Sequence, residues 1–239
     1  AIRRRLVLPA AMLTQIHPDL FVCGVPYRAM GFPIDRQLVV VRLASGQLWI
    51  QSPIPWTPAL RAEIARLGEV RHVMAASRYH DECLKEFQAE YPAAIFHAAP
   101  GLAALRPDLR FAAAPLSDAP HPDWAGSIAQ HHVRGMPRIN EIVFLHRASR
   151  SLILTDLAFN FGHHSHWLLK LMLRLDGAWG RLSPSRFGKS QMKDRAAVRA
   201  SIDTLLAWDF DRIIVGHGHN IETGGKDALR AAFAFLDAK

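Results

Sequence analysis

The stretch Asp211-Arg212-Ile213-Ile214-Val215-Gly216-His217-Gly218-His219-Asn220 decides the fold of this chain. Its apolar run ends at Val215 and leads directly into a Gly-His-Gly turn. A short apolar run bounded by glycine predicts a buried strand, and the glycines allow a sharp turn and a close backbone approach. His217 is therefore predicted to lie at the C-terminal end of a core strand, where α/β proteins usually build their sites.

Two other predicted strands also end in residues that bind metals or transfer protons. The run 152–155 is followed by Asp156, and the run 73–76 is followed within five residues by His80 and Asp81. Three strand ends thus each present an imidazole, a carboxylate or both. The hypothesis that follows is that these ends converge on one metal ion.

The length and composition favour one folded domain. The chain has 239 residues, 50% of them hydrophobic, and it contains no Ser/Gly linker, low-complexity tract or internal repeat. We expect a single domain over residues 19–239. The basic and apolar start of the chain imitates a signal peptide, but Pro9 interrupts its short apolar part and no clear cleavage site follows. A disordered leader over residues 1–18 is the preferred interpretation.

The cysteines and the net charge indicate the surroundings of the protein. Cys23 and Cys83 lie far apart without a CxxC motif, which argues against a disulfide scaffold or a thiolate zinc site and fits a reducing cytoplasm. The formal net charge is +8, but the arginines are scattered and no nucleic-acid motif is present. We therefore expect no nucleic-acid partner and a small-molecule substrate, for which the charge favours an anion. No apolar run reaches the roughly 18 residues of a membrane span.

The order of the predicted elements indicates the architecture. A β-rich first part leads to a helix at 58–67, for which Thr57 is the expected N-cap. A second helix is predicted at 80–91, a strand at 111–116 and an amphipathic helix at 191–208. A second β-rich part and a last strand between helices complete the chain. This order fits two mixed sheets packed face to face with helices outside, a four-layer αββα sandwich of the α/β (α+β) class.

Several segments carry a resemblance to a known superfamily. From about Leu20 onwards, the chain resembles the metallo-β-lactamase fold superfamily, and it is most similar to an uncharacterised branch of unknown function. The resemblance implies the same αββα fold. The segments that carry it are Leu48-Trp49-Ile50-Gln51-Ser52-Pro53, Leu152-Ile153-Leu154-Thr155-Asp156-Leu157-Ala158-Phe159-Asn160, Lys193-Asp194-Arg195, and Ala207-Trp208-Asp209-Phe210-Asp211-Arg212-Ile213-Ile214 running on to His217-Gly218.

The metal motif of the superfamily is altered in this chain. The motif His-x-His-x-Asp-His corresponds to the segment Ala76-Ser77-Arg78-Tyr79-His80-Asp81, in which the first two histidine positions hold Ala76 and Arg78. The last two positions hold His80 and Asp81, the residue types of the family in reversed order. The histidine of a Pro-Gly-His turn is replaced in the segment Arg134-Gly135-Met136.

The remaining positions keep ligand types, since Asp156 matches the bridging aspartate of the superfamily and His217 matches its final histidine. The resemblance therefore implies that one metal pocket is lost and that His80, Asp81, Asp156 and His217 form the other. Two imidazoles and two carboxylates suit one divalent ion, with zinc preferred and iron or manganese as alternatives. Arg78 is expected to place its guanidinium in the vacant pocket.

The function implied is that of a metal-dependent hydrolase acting on an ester, lactone, amide or phosphoester. Asp156 or Asp81 would orient the attacking water or take its proton. Arg78 and the loop histidines would contact substrate, and His219 would contact a metal-binding side chain and orient it. The loop histidines also have a simpler interpretation as a solvated loop; they are His163, His164 and His166.

Two alternative functions remain open at this point. A non-catalytic relative with a decayed site would bind no metal and act as a binding or regulatory module, and an iron-dependent redox enzyme would consume O₂.

His80 and Asp81 can share an ion only in a non-helical turn, since adjacent helical residues diverge by roughly 100°. The apolar segment 167–175 is expected to pack as core or lid, with a dimer face of a homodimer or a membrane-surface helix as alternatives.

Overall fold

The structure is a computed structural model that describes residues 12–29, 32–162, 167–175 and 177–237. Its first sheet has six strands in sequential order, and the pairs β1-β2, β2-β3 and β3-β4 are antiparallel. The strands β4, β5 and β6 are parallel to one another. The strands of this sheet are β1 Thr14–His17, β2 Leu20–Ala29, β3 Phe32–Arg42, β4 Leu48–Gln51, β5 Val70–Ala75 and β6 Ile95–Ala98.

The second sheet has four strands in the order β12-β9-β8-β7. The outer strand β12 pairs in parallel with β9, so both strands end at the same edge of the sheet. A two-stranded ribbon, β10-β11, lies apart from both sheets. The strands are β7 Ile128–His132, β8 Ile142–His146, β9 Ser151–Ile153, β10 Phe159–Asn160, β11 Leu182–Ser183 and β12 Arg212–Ile214.

The helices begin where the sequence provides caps. The side chain of Thr57 accepts a hydrogen bond from the amide of Leu60, and Asp194 accepts one from the amide of Ala197. Within the described residues, no helix is long and apolar enough to cross a membrane. The helices are α1 Pro58–Leu67, α2 Leu84–Glu90, α3 Leu102–Leu105, α4 Pro122–Ala125, α5 Trp167–Leu175, α6 Arg186–Ser190, α7 Arg195–Ala207 and α8 Gly225–Phe233, with a 3₁₀ helix at Ala234–Leu236.

Three apolar cores define four layers. The central core lies between the sheets, where Trp49 of the first sheet meets Phe144 of the second edge to face at 4.9 Å. A second core lies between the first sheet and the helices α1 and α2, and a third lies between the second sheet and the helices α7 and α8. The αββα sandwich predicted from the sequence is thereby confirmed.

Some predicted boundaries were wrong. Thr14–His17 is an edge strand within the expected leader, because its backbone pairs with β2, with Thr14 opposite Val22; residues 1–11 lie outside the described part. The predicted strand at 111–116 is a loop that makes only two main-chain hydrogen bonds to β6. The predicted helices 80–91 and 191–208 begin later than expected, at Leu84 and at Arg195.

Candidate metal centre

The ends of three strands bring two imidazoles and a carboxylate together. His80 lies in the turn between β5 and α2, Asp156 follows β9, and His217 follows β12. The Nε2 atoms of His80 and His217 are 3.1 Å apart. The Oδ1 atom of Asp156 is 3.6 Å from Nε2 of His80 and 3.9 Å from Nε2 of His217. All three residues therefore present one atom to the same point.

The spacing of these three atoms suits a small divalent ion. Zinc binds imidazole nitrogen and carboxylate oxygen at about 2.0–2.2 Å, so a tetrahedral site requires ligand atoms about 3.3–3.5 Å apart. The three separations, 3.1, 3.6 and 3.9 Å, bracket this requirement. Three protein ligands leave at least one position open for water or substrate, as in catalytic zinc sites.

The Gly-His-Gly turn is required by close packing. A Cβ atom on Gly216 would lie 2.8 Å from the carbonyl oxygen of Thr155, and one on Gly218 would lie 2.2 Å from that of Asn160. Gly218 also has a φ of +94°, which side-chain-bearing residues rarely adopt. Gly216 therefore allows the end of β12 to approach the end of β9, and Gly218 allows the turn to approach β10; together these contacts place His217 beside Asp156.

The Nδ1 atoms of both histidines are held by fixed partners. Nδ1 of His217 donates to the main-chain carbonyl oxygen of Asp35 at 2.6 Å, and Nδ1 of His80 lies 2.9 Å from Oγ of Ser52. A carbonyl oxygen can only accept, so the proton of neutral His217 resides on Nδ1 and its Nε2 carries a lone pair. Partners of this kind orient metal-ligating histidines and fix their tautomers.

Burial keeps both imidazoles neutral. Burial lowers the pKa of His80 below its ordinary value, and burial together with the neighbouring His80 lowers the pKa of His217 to about 4. Neutral imidazole is the form that binds metal ions. Both rings are therefore in their ligand form at neutral pH.

The carboxylate of Asp156 is fixed from the opposite side. Burial opposes its ionisation, but His80, His217 and the hydroxyl of Ser77, which donates to Oδ2, hold the pKa of Asp156 below its ordinary value. Behind it, the carboxyl of Glu141 accepts hydrogen bonds from the amides of Thr155 at 2.7 Å and Asp156 at 2.6 Å. Burial and the charge of Asp156 raise the pKa of Glu141 to about 8. Glu141 thus fixes the strand end that presents Asp156.

A cavity of about 470 Å³ opens above the three residues. This volume is within the range of small-molecule sites. Most of the wall is apolar or aromatic, and Tyr27 and Phe159 pack against the ring of His217 with centroids 6.4 and 5.3 Å away. A ligand in this cavity would rest on aromatic surfaces with one end at the cluster.

One cation contributes to the cavity wall. Arg36 is 2% exposed and donates from Nη1 to Glu82 at 3.0 Å. Its Nε and Nη2 atoms have no hydrogen-bond partner among the residues that the structure describes. Burying donors of a guanidinium without partners is costly, so these donors have unused capacity for an anionic group.

Asp81 does not join the cluster, contrary to the prediction. It lies in the turn before α2, as sharing an ion would require, but its carboxylate pairs with Nη1 of Arg106 at 2.5 Å. The neighbouring His80 points to the opposite side of the chain, towards His217. A turn of the backbone separates adjacent side chains here, so the candidate ligand set has three members, and Asp81 does not take the metal-binding and catalytic position predicted for it.

Arg78 also differs from its prediction. Its Nη1 atom donates to the main-chain carbonyl oxygen of Pro137 at 2.8 Å, and the residue does not line the cavity. The replaced ligand positions Ala76 and Met136 are buried among apolar side chains of two different cores. Ala76 and Met136 are therefore part of the apolar cores, and Arg78 contacts the 137–139 loop.

The remaining predicted residues lie away from the cluster or outside the described part. His219 is on the surface, and its main chain exchanges hydrogen bonds with Asn160. Oδ1 of Asn220 accepts from the amide of Val215 at 3.1 Å and so closes the turn around His217. The loop histidines at 163, 164 and 166 lie outside the residues that the structure describes.

Sequence reasoning missed the groups that support the site. Ser52, Ser77 and Glu141 have no motif of their own, and Asp35 acts through its main chain alone. Arg36 gave a weak signal, because it lies inside a predicted strand and arginine is rarely buried.

The two face-to-face sheets, the outer helices and the cluster at the strand ends define a protein of the metallo-β-lactamase fold. Residues 32–172, more than half of the chain, match the family described as a domain of unknown function, DUF4336. The chain belongs to this family. No curated protein matches the chain in sequence.

Solved structures share the fold at low sequence identity. The DIM-1 metallo-β-lactamase superposes with a TM-score of 0.67 at 13% identity, covering 96% of this chain and 98% of that one. The FIM-1 enzyme of Pseudomonas aeruginosa, in a mono-zinc form, gives 0.65 at 11% identity, covering 97% and 98%. The Flv1 flavodiiron core of Synechocystis sp. PCC6803 gives 0.65 at 13% identity, covering 96% of this chain and 62% of that one. These likenesses show the fold alone.

Proposed function

We propose that this protein is a metal-dependent hydrolase in which His80, Asp156 and His217 hold a single divalent ion. The observation that carries the proposal is the convergence of the three ligand atoms, within 4.8 Å of one another, at the base of the cavity. The lone pair of His217 and the carboxylate of Asp156 both face the same point, and a cation is the group that satisfies acceptors arranged in this way.

The residues around the cluster suit hydrolysis. When bound, a divalent ion supplies Lewis acidity and lowers the pKa of water to near neutrality, which gives a nucleophile without a strong protein base. Asp156 is the carboxylate at the cluster, so it is assigned the orientation of the attacking water. The hydroxyl of Ser77 holds Oδ2 of Asp156, and Glu141 holds its backbone. Both are positioning residues.

The cavity wall favours a substrate with an apolar body and an anionic group. Aromatic side chains bind the apolar part by contact area, and the buried guanidinium of Arg36 in the wall, with two unpaired donors, attracts a carboxylate or phosphate. The formal net charge of +8 adds a general attraction for anions. Esters, lactones and phosphoesters that carry a negative group are therefore the first substrates to test.

A second candidate function follows from the composition of the ligand set. Two histidines and one carboxylate with open positions are also the ligands of non-haem iron enzymes that react with O₂. An iron-dependent redox enzyme would retain iron in preference to zinc and would consume O₂ in the presence of a reductant. Hydrolysis needs only water as a co-reactant, whereas the redox reaction needs O₂ and a reductant. Hydrolysis with zinc therefore remains the first expectation.

The proposal is tested by hydrolysis assays on a matched pair of aspartate variants. Untagged protein loaded with zinc, manganese or iron is screened against anionic esters, lactones and phosphoesters, together with Asp156→Asn and Asp81→Asn. We expect the wild type and Asp81→Asn to be similarly active and Asp156→Asn to be about 100-fold or more slower. Equal activity of Asp156→Asn contradicts the assigned role. Absence of bound metal from the wild type favours a non-catalytic protein.

A further inference from the structure

A second group of metal-binding side chains lies at the edge of the first sheet. Nε2 of His72 on β5 lies 3.0 Å from Oδ2 of Asp123, and Nδ1 of His121 lies 3.6 Å from Oδ1 of the same carboxylate. One ligand atom from each of these residues lies within 4.8 Å of the other two. Nδ1 of His72 lies 3.1 Å from Nε2 of His97 on β6. Four residues from two strands and the N-terminal end of α4 thus meet at one place.

This histidine cluster is separate from the cavity. His72 lies three residues before the end of β5, about 10 Å back along the strand from the edge that carries His80. The side chains of His72 and Met74 lie on the same face of β5, and Met74 pairs with His97 of β6. This face is turned towards the central core. The cluster therefore lies at the rim of the central core beside the outer strand β6.

The local sequence fixes the two ligands at the start of α4. Pro122 follows His121 and restricts it to extended backbone, which is observed as φ −65° and ψ 145°. The ring of Trp124 stacks on His121 at 5.1 Å and an angle of 25°, and it packs edge to face on His72 at 4.9 Å. Both imidazoles are held in their positions by the same buried indole.

We propose that His72, His121 and Asp123 form a second site for a divalent transition-metal ion, for which zinc is the probe. His97 orients His72 by accepting the proton of its Nδ1, which leaves Nε2 free to bind the ion. Nδ1 of His121 accepts a 3.2 Å hydrogen bond from the amide of Asp123. This hydrogen bond is given up when Nδ1 binds the ion. The side chains of His121 and Asp123 are 41% and 42% exposed, so water completes the coordination.

An ion at this position would fasten the connection between the two sheets. The chain from β6 to β7 contains only two four-residue helices, and it leads from the first sheet to the second. A bond from His72 to the segment that carries His121 and Asp123 would tie this connection to the sheet edge. An ion bound by the folded state alone adds to the free energy of unfolding by mass action.

The alternative is a purely hydrogen-bonded group. His72 can instead donate from Nε2 to Asp123 and accept at Nδ1 from His97, with no ion present. The two cases differ in zinc content and in the effect of zinc on Tm. The exposed ring of His121 can be removed with little risk to folding, and Asp123→Asn serves as a second variant.

The test is the zinc content of untagged protein after loading and desalting, measured by elemental mass spectrometry. Relative to its parent, His121→Ala should lose about one equivalent, in both the wild-type and the His217→Ala backgrounds. Zinc should raise the Tm of His217→Ala but not that of His217→Ala/His121→Ala. His17→Ala, which removes a half-buried imidazole outside both clusters, is the matched control and should lose no zinc.

Each result separates this site from the site at His217. If only the second site binds zinc, His217→Ala retains the full wild-type content and His121→Ala retains none. That result supports the second site and contradicts the proposed function. The second site is overturned if His121→Ala and Asp123→Asn both keep the zinc content of the parent, or if His217→Ala alone removes all zinc. The hydrogen-bonded alternative predicts those outcomes.

Discussion

Nδ1 of His217 lies 2.6 Å from the main-chain carbonyl oxygen of Asp35, a residue of β3 in the opposite sheet. The contact spans 182 positions of the sequence and joins the two sheets at the cluster. It fixes both the orientation and the tautomer of His217. The same arrangement recurs at His80, whose Nδ1 meets Ser52 at the end of β4. Each of the two histidines that are candidate metal ligands is thus oriented by a residue of the first sheet.

Removal of the Ser52 hydroxyl should weaken metal binding without unfolding the protein. Ser52→Ala deletes the partner of Nδ1 of His80, and loss of such partners typically lowers metal affinity about 10- to 100-fold. Competition with a chromophoric chelator measures this change. Ser52 has a φ of +56°, so Ser52→Gly removes the same hydroxyl while relieving backbone strain of about 1–2 kcal/mol. Equal metal affinity of both variants and the wild type would show that Ser52 does not orient His80.

Substitution of Gly218 should destabilise the fold. Gly218→Ala places a Cβ atom 2.2 Å from the carbonyl oxygen of Asn160 at a φ of +94°, so we expect a loss of about 2–4 kcal/mol in the free energy of unfolding. Urea titration measures the change. Gly126→Ala is the control, because a Cβ atom there meets nothing within 4 Å and its φ is −70°. A similar stability of both variants would contradict the close approach of Gly218 to Asn160 of β10.

The stability of the metal-free protein should fall in mild acid. Burial lowers the pKa of His217 to about 4 from 6.5, so between these values the unfolded chain binds a proton that the folded protein does not. The contribution of neutral His217 to the free energy of unfolding is therefore complete above pH 6.5 and decreases as the pH falls towards 4. The expected loss is on the order of 2–3 kcal/mol.

The pH dependence requires a difference measurement against a variant. Glu141 acts in the opposite direction, because its pKa is raised to about 8 from 4.5 and its contribution decreases as the pH rises between these values. Comparison of the wild type with His217→Gln at each pH removes the contribution that Glu141 makes to both. The decline between pH 6.5 and 4 should be shallower in His217→Gln. Parallel curves would contradict a neutral, buried His217.

Substitution of Arg36 should affect anionic substrates selectively. Arg36→Met removes the unused donors at the cavity wall while keeping most of the side-chain volume. For an ester with a free carboxylate, such as a 4-nitrophenyl glutarate, we expect kcat/KM to fall by about 10- to 100-fold, equivalent to 1.4–3 kcal/mol. For the neutral 4-nitrophenyl acetate we expect little change. An equal loss for both esters would assign Arg36 a structural role.

The fold could be predicted because its signals are local. The Gly-His-Gly turn after an apolar run, the Thr57 cap and the alternation of β-rich and helical parts each act over a few residues, and together they gave the αββα order. The loop at 111–116 was mistaken for a strand because apolar composition alone does not show whether a segment pairs with neighbouring strands. Only two main-chain hydrogen bonds attach it to β6.

The site was predicted in part for a related reason. His80, Asp156 and His217 each follow a strand, and strand ends can be located from sequence. The direction of Asp81 depends on the dihedral angles of one turn and on Arg106, which is distant in sequence, so residue spacing could not reveal it. The second cluster was missed because His72, His97 and His121 lie on three separate segments, and none of them follows a metal-ligand spacing.

The central claim is that His217 is a metal ligand, and the most direct measurement compares it with a neighbouring histidine. Metal content of untagged wild type, His217→Ala and His219→Ala is determined by elemental mass spectrometry after loading with zinc, iron or manganese. We expect His217→Ala to lose about one equivalent relative to the wild type, and His219→Ala, altered on the surface two residues away, to lose none. Identical metal content in all three proteins would contradict the account.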